Sequence, residues 1–196
     1  MRRRSQDEIW SNVERTVLRF RPGMEADFWA LHNASHGCGW CYCSAWWVPD
    51  WEGWADRSDE QNRTVREQLL ARGEYDGYLL YRGEQPIGWS QVGPRDRLTK
   101  LVHQLDLIPD PETWAITCFL LHPDFRRRGF ARSLLHGLLS DLPSRGARRV
   151  EAFPRRGPDL DPLELWNGPE SLFLEAGFAV LREDPFRPVL QLTLGH

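Results

Sequence analysis

The chain has 196 residues, 41% of them hydrophobic, which is enough for one buried core and hardly enough for two, so we expect a short N-terminal arm (1–15) and a single domain (16–196). Its formal net charge of −3 gives no general attraction for nucleic acid. No segment has the roughly 18 consecutive apolar residues that a membrane span requires, and no signal-peptide pattern follows Met1, so we expect a cytoplasmic protein that contacts neither nucleic acid nor membrane.

The hydrophobic patterns alternate between the period of a strand and that of a helix. In chain order they predict a strand (16–21), helices (25–33 and 58–73), the two strands of a hairpin (77–82 and 86–92) and a short helix (98–105). A buried strand (114–121), an amphipathic helix (131–139), a strand (149–153), a short helix after Pro169 and two closing strands (178–181 and 189–194) follow. Together these runs predict about seven strands.

Residues 121–131 join the buried strand to the amphipathic helix and have the composition of an anion-binding loop. Gly129 stands near the start of the helix, where backbone N–H groups converge and the positive end of the helix dipole adds to them. Arg126, Arg127 and Arg128 stand beside it. The combination indicates a site for a phosphate or pyrophosphate; a turn glycine with solvated arginines is the ordinary alternative.

Residues 34–57 carry five of the ten tryptophans and three of the four cysteines. Thiolate and imidazole are the ligands that zinc prefers, which raises a zinc hypothesis for this stretch. The potential ligands are His32, His36, Cys38, Cys41 and Cys43. A single Cys-x-x-Cys without a second pair is an incomplete ligand set, so we expect no metal. The cysteines are then reduced and fill space among the tryptophans.

Two motifs resemble those of a known family. The pattern Arg126-x-x-Gly129-x-Ala131 after a buried strand resembles the acyl-CoA motif of the GNAT superfamily of N-acyltransferases. The segment 173–178 (Phe-Leu-Glu-Ala-Gly-Phe) is similar to the family's late aromatic-x-x-x-Gly-Phe signature. The order of elements from residue 16 onward is also similar. More narrowly, the chain resembles bacterial members that carry a Cys-Trp-Cys-type segment before the second helix.

The resemblance implies a fold of the α/β (α+β) class. That fold is a mixed, mostly antiparallel, twisted sheet of about seven strands, with helices on both faces and a V-shaped splay between two central parallel strands, here residues 114–121 and 149–153. Acetyl-CoA, or another acyl-CoA, would lie in this wedge as co-substrate. The strand would pair with the pantetheine amides, and one of its N–H groups would face the developing oxyanion. The residues implied in acyl-CoA binding are Phe119, Leu120, Leu121, Arg126, Arg127, Arg128, Gly129, Phe130, Ala131 and Phe173.

The resemblance leaves the proton transfers open. Where some members place a glutamate at the start of the fourth strand, this chain has Trp114-Ala115, and Phe173 stands where a tyrosine general acid is common. Glu151 is the candidate general base, because strand alternation places it among apolar positions that raise a carboxyl pKa. A salt bridge from Glu151 to Arg149 or to a loop arginine is the alternative. Tyr42 or water is the candidate proton donor.

We expect transfer of an acetyl (acyl) group to a primary amine, on an acceptor that is a small molecule, by direct attack in a ternary complex. In the family fold the connection at residues 34–57 overhangs the acceptor site, so Trp46, Trp47 and Trp89 are candidate walls of that site, with core packing as the alternative. The absent tyrosine and carboxylate keep open a catalytically weak or inactive acyl-CoA-binding sensor or interaction protein. A monomer or a homodimer is expected.

Overall fold

The computed structural model describes residues 15–35 and 39–195. Its strands are β1 (Arg15–Arg19), β2 (Tyr78–Arg82), β3 (Gln85–Pro94), β4 (Thr113–Leu121), β5 (Arg149–Ala152), β6 (Ala179–Arg182) and β7 (Val189–Thr193). Its helices are α1 (Glu25–Ala34), α2 (Asp59–Ala71), α3 (Thr99–Gln104), α4 (Phe130–Asp141) and α5 (Glu170–Glu175), joined by short 3-10 turns. Apart from Arg15, the expected arm lies outside the described residues, as do His36 and Cys38. None of the helices described is long and apolar enough to cross a membrane.

The strands form one seven-stranded sheet in the order β1-β2-β3-β4-β5-β7-β6. In the described part of the chain β4 and β5 run parallel, and the other neighbouring pairs are antiparallel. The predicted α/β class and the mixed, mostly antiparallel sheet of about seven strands are therefore confirmed.

The parallel pair is short, and this opens the sheet at its centre. Thr113 to Ile116 pair with Arg149 to Ala152, after which β5 ends while β4 continues to Leu121. The β3–β4 register shifts at the same level, between Gln91 and Val92, so that Thr117 has no Cα partner in β3. The two central strands separate beyond Ile116, as the resemblance implied.

Helices cover both faces of the sheet. On one face α4 buries Leu134, Leu135 and Leu138 against the largest core cluster. On the other face Phe28 and Leu31 of α1 pack in a second cluster that also contains Trp89, Cys118 and Leu120. The wedge therefore opens between two separately packed layers.

Local signals in the sequence explain where the helices begin. Ser58 and Gln61 form the complete capping box that precedes α2. Gly129 adopts a left-handed conformation (φ 79°) as the residue before α4, and Pro169 precedes α5. The structure moves some boundaries: β1 ends at Arg19 rather than at residue 21, and β3 extends to Pro94 because that residue still pairs with Trp114.

Candidate active site

One cavity of about 770 Å³ runs along the open side of β4. At one end lie residues 126–131, which we call the arginine loop. At the other end lie His32, Cys41, Cys43 and Cys118, which we call the thiol end. Between them the walls come from residues 119–121 of β4 and from Leu165, Trp166, Gly168 and Pro169. A volume of this size is typical of small-molecule and cofactor sites.

The arginine loop is shaped by two residues in left-handed backbone conformations. Arg127 has φ 57° and Gly129 has φ 79°, and an added Cβ at Gly129 would meet no atom within 4 Å. Arg126 donates from Nε to the carbonyl of Leu121 (3.2 Å), which ties the loop to the end of β4. Because α4 begins immediately after Gly129, its dipole and first N–H groups face this end of the cavity. The loop can hold an anion such as a phosphate.

The open edge of β4 is partly occupied by the chain itself. The N–H of Phe119 donates to the carbonyl of Trp166 (2.7 Å). Asn167 is fixed in turn, because its side-chain amide donates to the carbonyl of Phe153 (2.9 Å) just beyond β5. The segment 165–169 therefore bridges the wedge. The N–H of Phe119, which the resemblance implies would contact acyl-CoA, is hydrogen-bonded within the protein instead.

Cys43 is the centre of the thiol end. Its thiol lies 2.9 Å from Sγ of Cys118 and 3.6 Å from Nε2 of His32. The indole N–H of Trp89 donates to the same sulfur (3.0 Å). His32 bonds through Nδ1 to the carbonyl of Phe28 (2.9 Å), and since a carbonyl only accepts, the proton of the neutral ring sits on Nδ1. Nε2 is then an acceptor directed at Cys43.

A buried arginine holds the turn that presents these thiols. Tyr42 and Cys43 both have positive φ (42° and 52°), a strained conformation for residues with side chains. Arg66 of α2, 1% exposed, donates from Nε to the carbonyl of Tyr42 (2.9 Å) and from Nη2 to that of Cys43 (2.6 Å). A further bond from Nη2 reaches Oε1 of Gln91 (2.9 Å). The guanidinium thus fixes the turn and places a permanent positive charge behind it.

Burial sets the ionisation of the thiol end. It lowers the pKa of His32 to about 3, so the imidazole is neutral at physiological pH. Burial, followed by the hydrogen bond to Cys118, raises the pKa of the Cys43 thiol, and the hydrogen bond to Cys43 together with burial raises that of Cys41. Arg66 opposes both increases but is the smaller effect. Cys41, Cys43 and His32 are therefore uncharged at neutral pH.

Glu151, the candidate base, is buried on β5 opposite Ala115 (1% exposed). Nη1 of Arg95 lies 2.9 Å from both of its carboxylate oxygens, and Gln191 donates to one of them (3.2 Å). The described residues that line the cavity do not include Glu151. The geometry supports the ion-pair alternative, with a loop arginine as partner. Arg149, the other suggested partner, pairs instead with Asp110 and Glu112.

Tyr42, the candidate proton donor, and Phe173, which stands where a tyrosine general acid is common, both lie behind the cavity wall. Tyr42 donates its hydroxyl hydrogen to Oδ1 of Asn33 (2.8 Å), and burial raises its pKa. Phe173 is fully buried and packs against Phe119 and Phe178 rather than lining the cavity. The para carbon of its ring points toward Gly168, where an added Cβ would lie 2.9 Å away. Phe173 supports the wall instead of contacting the space inside it.

The tryptophans proposed as an acceptor wall belong to the core. Trp89 is fully buried beside Cys43, Trp46 is buried against Trp166, and Trp47 packs in the same cluster as Trp46. Lys100 inserts its ammonium group among the tryptophans of residues 34–57, 3.5 Å from the ring centroid of Trp51. These contacts agree with the alternative interpretation, in which the tryptophans pack in the core.

The tertiary structure brings together residues that are far apart in the sequence. Cys118 follows the β4 bulge and faces Cys43 from 75 residues away, and Arg66 reaches the same turn from α2. The apolar strand and the helix gave no signal for either contact, since both depend on strand register and helix packing. Among the residues described, no group of three or more His, Cys, Asp or Glu side chains has an arrangement that would hold a metal ion.

The model of one known protein family matches most of the chain. The sequence model described as the acetyltransferase (GNAT) family matches residues 40–159, which include the thiol-bearing turn, β4, the arginine loop and β5. No curated protein matches the chain at a significant level.

Solved structures share the fold at low sequence identity. A GNAT-family protein from Desulfovibrio desulfuricans is 14% identical, with a TM-score of 0.59, 93% of this chain and 100% of that chain covered. The PaiA N-acetyltransferase from Thermoplasma acidophilum in complex with coenzyme A is 12% identical (TM-score 0.56, 92% and 99% covered). A GNAT-family acetyltransferase from Brucella melitensis in complex with acetyl-CoA is 14% identical (TM-score 0.53, 94% and 91% covered).

Proposed function

The chain belongs to the GNAT family of acetyltransferases, and from that premise we propose that it transfers the acetyl group of acetyl-CoA to a primary amine of a small molecule by direct attack in a ternary complex. The observation that carries the proposal is the continuous cavity that joins the arginine loop to the thiol end along β4. A ternary complex needs one continuous space for donor and acceptor, and direct attack needs the two reacting atoms side by side within it.

The donor occupies the half of the cavity that contains the arginine loop. Backbone N–H groups at the start of α4 and the charges of Arg126 to Arg128 hold the pyrophosphate. The related structures from Thermoplasma acidophilum and Brucella melitensis contain coenzyme A and acetyl-CoA, which supports the same ligand here. The left-handed turn at Gly129 lets the loop backbone approach the phosphates closely.

The pantetheine arm enters the wedge beside β4. Its amides pair with residues 119–121 as an added strand would, and the thioester then points toward the thiol end. To use the Phe119 N–H as an oxyanion donor, the protein must exchange its bond to the Trp166 carbonyl for one to the ligand. The segment 165–169 therefore moves when acetyl-CoA binds.

Proton transfer in this proposal uses solvent. The acceptor nitrogen attacks the thioester carbon, the C–S bond breaks, and the leaving thiolate takes up a proton. Because Glu151 neutralises Arg95 and lies outside the cavity lining, we give it a structural role and assign proton acceptance to water. Tyr42 has its hydroxyl on Asn33, so water is also the proton donor.

A second candidate function is a sensor that binds acyl-CoA without turnover. Three observations favour it: Phe173 carries no hydroxyl, Glu151 is engaged by Arg95, and the Phe119 N–H is engaged by Trp166. In this conformation, each of these three features makes one group that could assist the reaction unavailable.

Titration calorimetry with acetyl-CoA, followed by acceptor-dependent thiol release across a panel of primary amines, separates the two functions. Saturable binding with amine-dependent release of coenzyme A supports the acetyltransferase. Binding without release from any amine supports the sensor, and no binding of acetyl-CoA contradicts both.

A further inference from the structure

We propose that the acceptor is a weakly basic amine, of the aromatic amine class, that enters the thiol end without a charge. The inference rests on the proposed function, because it names the chemical class of the acceptor in that reaction. It is carried by the side chains that form the thiol end and by the guanidinium buried behind them.

The thiol end offers an ammonium group no counter-charge. Its described lining consists of one imidazole and three thiols, of which His32, Cys41 and Cys43 are neutral at physiological pH. The one carboxylate among the described residues lining the cavity is Asp124, whose side chain is 81% exposed next to the arginine loop at the opposite end. Glu151 is held by Arg95 outside the lining.

The charged side chain that is hydrogen-bonded to the turn carrying Cys43 is positive. Arg66 is fully enclosed and gives its hydrogen bonds to the carbonyls of Tyr42 and Cys43 and to Gln91, all of them neutral acceptors. Asp76 acts on it only as a more distant charge and is itself hydrogen-bonded to Arg97 and Arg145. A cation that entered beside Cys43 would be repelled by Arg66 at low local dielectric.

An alkylammonium acceptor meets two barriers here. It must leave water for a pocket without an anion, which is unfavourable by several kcal/mol for an unpaired ion. It must also lose a proton with a pKa of about 10.4 before it can attack. His32 cannot take that proton efficiently, since its own pKa is about 3. An aromatic amine meets neither barrier, because its nitrogen is already neutral at physiological pH.

The walls of the thiol end also suit a flat apolar ring. The imidazole of His32 packs on Phe28 (ring centroids 3.9 Å apart) and on Tyr42 (5.7 Å), and since neither of these two described residues lines the cavity, the contacts fix the imidazole and leave the thiols as the surface that a ring would meet. The sulfur atoms of Cys43 and Cys118 are polarisable and weakly polar, and such groups pack favourably on aromatic rings. The thiols can therefore contact the face of an aromatic acceptor, whereas they offer no charge to an ammonium group.

Aniline and cyclohexylamine provide the matched probes, since each is a six-membered carbon ring with one amino group and they differ chiefly in basicity. With wild-type protein and saturating acetyl-CoA at neutral pH, we expect kcat/KM for aniline to exceed that for cyclohexylamine at least about tenfold. The rate with cyclohexylamine rises with pH as neutral amine forms, whereas the rate with aniline stays level. An equal or higher kcat/KM for cyclohexylamine at neutral pH overturns the inference.

A charge variant makes a second, independent test. Cys41→Asp adds the missing counter-charge at a half-buried position, and Cys41→Asn is the neutral control of the same shape. We expect the ratio of kcat/KM for cyclohexylamine to that for aniline to be about tenfold higher in Cys41→Asp than in Cys41→Asn. Identical ratios in two variants that bind acetyl-CoA normally contradict the inference.

The failure of the inference is distinguishable from that of the proposed function. Efficient transfer to cyclohexylamine but not to aniline leaves an acetyltransferase and refutes the acceptor class. Binding of acetyl-CoA without transfer to either probe, or to any primary amine of the panel, refutes both.

Discussion

The arginine loop and the thiol end are the two ends of one cavity, and they are built in opposite ways. The arginine loop is a contiguous segment that combines exposed cations with backbone N–H groups at one helix start. The thiol end is assembled from α1, the following turn and β4, and its charge lies buried behind it in Arg66. Donor recognition is therefore local, whereas acceptor recognition depends on tertiary packing, and mutations at the two ends should fail in different ways.

The largest expected effect is a loss of stability at the thiol end. Arg66→Met leaves the buried carbonyls of Tyr42 and Cys43 without their donors, and each unsatisfied group weakens folding by about 1–3 kcal/mol, so we expect the free energy of unfolding to fall by about 4 kcal/mol. Urea denaturation measures the change. Arg66→Lys is the control, because one ammonium group can replace some of the hydrogen bonds of the guanidinium but not all of them. Its free energy of unfolding should lie between those of Arg66→Met and wild type. A loss below about 1 kcal/mol in Arg66→Met would show that the turn does not depend on Arg66.

The second prediction concerns a residue at neither end. Glu151→Gln leaves Arg95 buried without a carboxylate, so the free energy of unfolding should fall by about 3 kcal/mol. The kcat of protein that remains folded should change little, since Glu151 does not line the cavity. Acetyl transfer and urea denaturation on the same sample measure both quantities. A loss of kcat by more than about a hundredfold with intact acetyl-CoA binding would restore the general-base assignment.

The third prediction concerns a variant that weakens acetyl-CoA binding at the arginine loop and leaves the thiol end unchanged. Ala131→Glu places a carboxylate in the first turn of α4, beside the bound pyrophosphate, and should weaken acetyl-CoA binding about a hundredfold, or about 2.7 kcal/mol. Ala131→Gln has the same shape without the charge and should lose only a few fold. Calorimetry gives both affinities, while the melting temperatures should stay close to that of wild type. Equal affinities of the Glu and Gln variants would place the pyrophosphate elsewhere.

These regions also differ in how far the sequence could predict them. The arginine loop and the seven strands follow from contiguous patterns, because a glycine turn between a buried strand and a helix is encoded within a dozen residues, whereas the wedge is implied by the family resemblance. The partner of Glu151 is Arg95, 56 residues away, and Cys118 meets Cys43 because the β4 bulge sets the strand register and Arg66 of α2 holds the turn that carries Cys43. Trp46, Trp47 and Trp89 are expected on the acceptor wall from the sequence, whereas in the structure Trp89 packs against Phe20 and Phe28, Trp46 is buried against Trp166, and Trp47 is half-buried in the same cluster as Trp46.

The smallest expected effect is a pH dependence of stability at the thiol end. The pKa of His32 is about 3 in the folded protein against about 6.5 when unfolded, so the unfolded state binds the extra proton and stability falls as the pH drops below 6.5. Between pH 7 and pH 5 this linkage removes about 2 kcal/mol. The difference in unfolding free energy between wild type and His32→Gln should shrink by that amount over the same range. A constant difference would mean that His32 titrates normally in the folded protein.

Protection of Cys41 by acetyl-CoA tests most directly whether the two ends share one cavity. Iodoacetamide at alkaline pH alkylates half-buried Cys41 through the cavity, and peptide mass spectrometry gives the rate at that residue. Saturating acetyl-CoA should slow this alkylation at least about tenfold in wild type, and Ala131→Glu should lose the protection at the same ligand concentration. An alkylation rate of Cys41 that is the same with and without bound acetyl-CoA would contradict the account, because the donor would then not reach the thiol end.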